Sequence, residues 1–104
     1  MKTIKSIKTV DLTTLEWFDK VNGNTYFVSR IVVNYGMKDQ AAFIDQFQYG
    51  YGDQSEWTCI SLLKKHYNGL PDVIWRLKES GIIIRVSKRS GLKRELKQLE
   101  SQTR

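Results

Sequence analysis

The segment from Asn24 to Tyr35 constrains this chain most, because its Val, Ile, Tyr and Phe residues run on without a glycine or proline. β-branched and aromatic side chains are stiff in a helix and pack well on a pleated surface, so the segment predicts a strand. A strand of that length needs partners, and its neighbours in the sequence supply them. Residues 2–10 are rich in Ile, Thr and Val, and Lys2, Lys5 and Lys8 suit an edge position. Ala41–Gln48 predicts a further strand, reached from Gly36 through the polar turn Lys38-Asp39-Gln40. Residues 14–21 read two ways. Thr13 and Glu16 have the spacing of a capping box that starts a short helix; alternatively, a strand runs into Asn22-Gly23, the strongest two-residue hairpin signal.

The hydrophobic period changes in the second half. Asp53-Gln54-Ser55-Glu56 resembles an acidic helix cap, and Trp57, Ile60, Leu63 and Tyr67 then recur at three- and four-residue steps. That amphipathic helix is expected to stop near Asn68-Gly69. Pro71 suits the first position of a second helix over residues 71–80, with Val73, Ile74 and Leu77 inward and Gly81 closing it. Residues 82–86 predict a strand. Residues 90–100 predict a last helix with Leu92, Leu96 and Leu99 on one side and Lys93, Arg94 and Lys97 on the others. The expected class is α+β: an antiparallel sheet from the N-terminal half, with two to three helices and one late strand in the C-terminal half. A chain of 104 residues leaves room for one core, so residues 1–104 are expected to form a single domain.

Charge is unevenly distributed. The net charge of +6 arises entirely after residue 53, since residues 1–53 balance six basic against six acidic side chains. Arg85, Lys88, Arg89, Lys93, Arg94 and Lys97 form the densest cluster. Such a cluster favours polyanions, although solvated basic ends are also common. The apolar runs are too short for a transmembrane helix. One cysteine, Cys59, excludes an internal disulfide, and the pattern suits a reduced, cytoplasmic setting.

Catalysis finds little support. Cys59 and His66 sit two helical turns apart, about 10.5 Å, too far for a nucleophile–base pair. Asp45, Asp53 and Glu56 match no calcium-loop spacing. The expectation is no catalytic residue, no metal and no cofactor. Tyr49-Gly50-Tyr51-Gly52-Asp53 stands out: glycines before a helix start can cradle a phosphate, but Ser55 occupies the place of a third glycine and Asp53 would cap the helix. A tight turn with packed tyrosines is the blander account, with Tyr49 and Tyr51 left as stacking candidates. Most other aromatics, Trp57 and Trp75 included, fall in periodic elements and are expected in the core. Residues 55–91 also fit a winged helix with a wing at Lys88–Gly91, although residues 71–80 would offer only Arg76 and Lys78 as basic contacts. The Leu92–Leu99 stripe could serve a homodimer but is too short for a coiled coil by itself.

Three stretches, Trp17 to Phe27, Phe47 to Gln54 and Leu92 to Lys97, together resemble a group of small proteins encoded by bacteriophages and prophages. The resemblance implies viral origin and action inside a bacterial host cell. It implies no reaction and transfers no functional residue. Phage proteins of this size are often accessory factors that bind host machinery or counter host defences. The expected function is therefore non-enzymatic binding of nucleic acid, or of a host complex that handles it, through Arg85, Lys88, Arg89, Lys93, Arg94 and Lys97, with Tyr49 and Tyr51 as anchors. The alternatives are nucleotide sequestration at Gly50–Asp53 and a virion or assembly component.

Overall fold

The strand signal of the first half condenses into three long antiparallel strands, and the late strand joins them from the far side. The computed structural model describes residues 2–50, 52 and 54–101. In chain order its elements are β1 (Lys2–Thr3), a 3-10 turn (Ile4–Ser6), β2 (Thr9–Asp19), β3 (Asn24–Val33), β4 (Ala41–Tyr49) and α1 (Gln54–Lys64). They continue with β5 (Tyr67–Asn68), α2 (Trp75–Glu79), β6 (Ile83–Ser90) and α3 (Lys93–Ser101). The main sheet has the order β4-β3-β2-β6, and β1 pairs with β5 in a small parallel ladder. The class is α+β, as expected.

The strands of the N-terminal half pair antiparallel as expected, and the late strand adds a parallel partner to them; three other expectations are corrected. The sheet is mixed, because β6 runs parallel to β2 from Ile83 beside Thr9 to Ser90 beside Glu16. A parallel neighbour needs a long crossover, which residues 20–82 provide. Lys88, Arg89 and Ser90 are thus strand residues, which removes the wing from the winged-helix reading. Residues 2–10 do not form one strand: Ile4–Ser6 turn, and Ile7 is buried in the core. The second helix begins at Trp75, leaving Pro71 ahead of it. Residues 14–19 resolve as strand: Thr14 faces Ser29, and their hydroxyls share a buried 3.0 Å hydrogen bond.

Strand alternation divides the sheet into two faces. Val10, Leu12, Ile31 and Val33 point to one, where Cys59, Ile60 and Leu63 of α1 and Leu77 of α2 complete the larger core. Leu15 and Val28 point to the other, where Leu96 and Leu99 of α3 pack with Trp17, Ile44 and Phe47. Of the leucine stripe, Leu96 and Leu99 pack inside the chain and Leu92 is exposed. Gly81 closes α2 with φ +86°, and Glu95 accepts the Leu92 N–H at 2.8 Å to cap α3.

Asn34 fastens the strand ends. It is buried at φ +56°; its side-chain oxygen accepts the N–H groups of Lys8 (2.6 Å) and Thr9 (3.2 Å), and its amide donates to Ser6 O (2.8 Å). Asn is among the few non-glycine residues that enter the left-handed region readily. Asn34→Ala loses three hydrogen bonds and this conformational tolerance, so it should cost about 3 kcal/mol in chemical denaturation. Asn34→Gly should recover only the conformational part.

Candidate nucleic-acid interface

The three resemblance stretches meet at one end of the sheet. The first spans the end of β2, the hairpin and the start of β3; the second leads from β4 into α1; the third lies mostly on α3. Asp19 builds the hairpin by accepting the N–H groups of Val21 and Asn22 and an Asn22 amide hydrogen. These donors, the Asn22 side chain foremost, hold the Asp19 carboxyl below its ordinary range. The resulting register sets Trp17 opposite Tyr26, and Tyr26 opposite Tyr49.

Aromatic rings then cross three strands. Tyr26 stacks on Trp17 (centroids 5.7 Å apart) and on Phe47 (5.2 Å, interplanar angle 10°), while Tyr49 meets Tyr26 edge-on at 5.9 Å. Phe47 joins this face because the β3–β4 pairing shifts register between Phe27 and Ser29. α3 lies over the rings, with Lys93 Nζ 5.4 Å from the Trp17 centroid and Lys97 Nζ 4.3 Å from that of Phe47. Glu100 anchors the end of α3 by accepting the Phe47 N–H at 2.6 Å. Because the rings face each other and the lysines, only the exposed Tyr49 offers much ring surface outward. Sequence reading missed this ladder. Its signal was the placement of Trp17 and Tyr26 on either side of a turn.

The basic residues divide between the two faces. Arg85 and Arg89 share the α3 face of the sheet, and register adds Arg30, which lies one strand beyond Thr13 and was not singled out from sequence. Lys88 points to the α1 face instead, where it donates to Gly52 O at 2.6 Å and sits 4.0 Å from Glu16. Lys88 is thus removed from the candidate surface by period-2 alternation. Asp11 takes two hydrogen bonds from Arg85 and pushes its guanidinium pKa further up. Arg89 lies 3.9 Å from Glu95, and Lys97 3.7 Å from Glu100. Among the described residues, Arg30, Lys93 and Arg94 have no ion pair. Tyr49 ends β4, on the sheet edge opposite β6, and so stands apart from Arg85. Tyr51 lies outside the described residues, as does Asp53.

At Gly50, packing leaves no room for a side chain. A Cβ on Gly50 would meet Gln54 Cγ at 2.6 Å and Phe27 Cε1 at 2.7 Å, and the Phe27 ring is buried. Gly50→Ala should therefore destabilise the fold by about 1–3 kcal/mol in chemical denaturation. A phosphate site would instead give normal stability with lost ligand binding.

Cys59 is fully buried, and burial, reinforced by Asp45 and Glu56, pushes its thiol up to about 12. Its ordinary value is 9.0, so the native state holds the proton more tightly than the unfolded state. The associated stability is complete below pH 9 and is lost as pH rises toward about 12. At pH 8 a thiol reagent should label Cys59 only at the rate of unfolding; immediate native-state labelling would contradict this burial. His66 is exposed and lies against Phe43, ring centroids 4.5 Å apart. No cluster of three or more metal-ligating side chains occurs among the described residues, and no described helix is long and apolar enough to cross a membrane. No family model, curated protein or solved structure matches the chain.

Proposed function

We propose that this chain is a non-enzymatic accessory protein of the phage type, acting in the host cytoplasm, that binds nucleic acid or a host nucleic-acid-handling complex such as a defence effector. One observation carries this reading: Arg30, Lys93 and Arg94, without ion pairs among the described residues, join Arg85, Arg89 and Lys97 on the α3 side of the sheet. Those three other cations lie beside carboxylates, which reduces the potential below what the sequence count suggests. The stacked rings turn little surface outward. Contact is therefore chiefly with the phosphate backbone, and base sequence contributes little.

The number of unpaired cations sets an expectation for salt dependence. Three phosphate contacts give a slope of about −2 in log affinity against log salt for a single strand, and about −3 for a duplex. Anisotropy with labelled oligonucleotides at 50 and 200 mM salt should then show roughly a 15-fold loss for a single strand. Arg30 and Arg94 are both exposed, so Arg30→Glu with Arg94→Glu should weaken binding at least about tenfold and flatten the slope. Lys88→Gln should lower stability and leave affinity unchanged. Equal affinity for the double charge reversal and the parent chain would refute the nucleic-acid reading.

A further inference from the structure

The two edges of the main sheet are finished differently, and β4 is the edge left open. No strand flanks β4 on its outer side, while α1 and α3 lie over the two faces of the sheet. Edge strands are usually blunted by charges, bulges or a cover. β6 follows that pattern with Arg85, Lys88 and Arg89, but Ala41–Tyr49 carries one charge, Asp45, and no lysine, arginine or proline. The second half of β4 is capped by side chains: Gln48 donates to Gln46 O at 3.0 Å, and Glu100 accepts the Phe47 N–H. Ahead of the strand, the Gln40 N–H is spent on Met37 O. Ala41 to Asp45 are left as an uncapped run. Backbone alternation identifies its outward groups. Thr25 O accepts the Gly50 N–H, so the odd-numbered residues of β3 bond toward β4. Ala41, Phe43 and Asp45 face Val33, Ile31 and Ser29, and their polar groups are used within the sheet. Ala42 and Ile44, opposite Val32 and Arg30, direct theirs outward. Beside them opens a cavity of about 270 Å³ lined by Phe43, Ile44, Leu62 and His66.

We infer that this edge pairs with the same edge of a second copy of the chain, strand antiparallel to strand, about a two-fold axis beside Phe43. The bounds of the uncapped run select that register. Centring on Phe43 sets Ala42 of each copy opposite Ile44 of the other, and each such pair exchanges both its hydrogen bonds. Centring on Ala42 would call on the Gln40 N–H, and centring on Ile44 would call on Gln46 O, both already used. Phe43 of one copy then stands beside Phe43 of the other in a non-hydrogen-bonded position, where side chains approach most closely. The cavity at each edge receives the facing ring. Charge favours this contact over any other along the sheet. Two chains of net charge +6 repel, and the pairing joins their least basic edge while leaving both β6 strands outermost. The axis stands normal to the sheet, so both copies carry α3 on the same side. The pairing itself does not depend on nucleic-acid binding.

The test uses the full chain. Sedimentation velocity from low to high micromolar concentration should show a monomer giving way to a dimer. Over the same range, amide hydrogen exchange at Ala42 and Ile44 should slow as concentration rises, whereas in dilute solution both amides exchange quickly. Ala42→Pro removes an N–H that points away from β3, a position where an edge strand tolerates proline, so native near-ultraviolet dichroism should persist. Dimerisation of that variant should weaken at least about tenfold. Leu92→Ser should leave dimerisation unchanged, because the exposed Leu92 lies away from the β4 edge. A chain monomeric throughout, a dimer whose Ala42 and Ile44 amides stay unprotected, a full-strength dimer in the folded Ala42→Pro variant, or loss of the dimer in Leu92→Ser would each overturn the assignment. If Ala42→Pro does not fold, exchange at Ala42 and Ile44 of the parent chain decides alone.

Discussion

The structure depends on β2 being paired along nearly its whole length on both sides. Val10 to Asp19 pair with β3, and Thr9 to Glu16 pair with β6. A strand enclosed in this way has both faces in the interior of a sheet, so each needs a cover. α1 and α2 cover the face carrying Val10 and Leu12, and α3 covers the face carrying Leu15 and Trp17. The parallel addition of β6 is what delivers α3: Gly91, just past β6, donates to Glu16 O at 2.8 Å, and the chain turns directly over the aromatic rings. Asn34 secures the opposite end of the same strand by holding Lys8 and Thr9. Basic surface, ring ladder and exposed tryptophans are all consequences of how β2 is covered.

Much of this arrangement was legible in residue patterns. β3 and β4 announce themselves through branched and aromatic content, and α1 through its three- and four-residue spacing, because each signal arises within one element. The mixed sheet was not legible, since nothing local in Ile83–Ser90 specifies whether its partner is β2 or β4, or in which direction. Residues 2–10 misled because Ile4 and Ile7 look like strand residues, while their burial is achieved through a turn held from afar by Asn34. The hairpin shows a subtler failure. A two-residue turn at Asn22-Gly23 would set Trp17 opposite Val28, whereas the Asp19 cap and Gly23 at φ +71° produce a four-residue loop that sets it opposite Tyr26. The faces stay the same and the ring neighbours change.

The candidate site was legible as a list of charges and not as a surface. Lys88 and Arg89 are adjacent in sequence and therefore point to opposite sides of the sheet, which a charge count ignores. Arg30 escaped notice because it is the only arginine in a half of the chain whose charges balance. Trp57 and Trp75 match their helical periods, but neither helix buries that side. Periodicity reports which residues could share a face; it does not say how wide the buried stripe is.

Pairing then decides how much of the charge acts outward. Each of Arg85, Arg89 and Lys97 lies within ion-pair distance of a carboxylate, and these contacts are largely exposed to water. Exposed pairs contribute little to stability, so their partners separate at small cost when a polyanion competes. Arg85 is the exception in geometry, being held to Asp11 by two hydrogen bonds between neighbouring strands. A phosphate would have to replace both. Arg89 and Lys97 hold their carboxylates through single contacts near the distance limit, and they can turn toward a ligand more readily. The surface thus grades from Arg30, Lys93 and Arg94, without ion pairs among the described residues, through Arg89 and Lys97, to Arg85, which is committed to the fold. That gradient follows from strand register and helix placement, and it separates the basic residues held by the sheet from those left exposed to solvent.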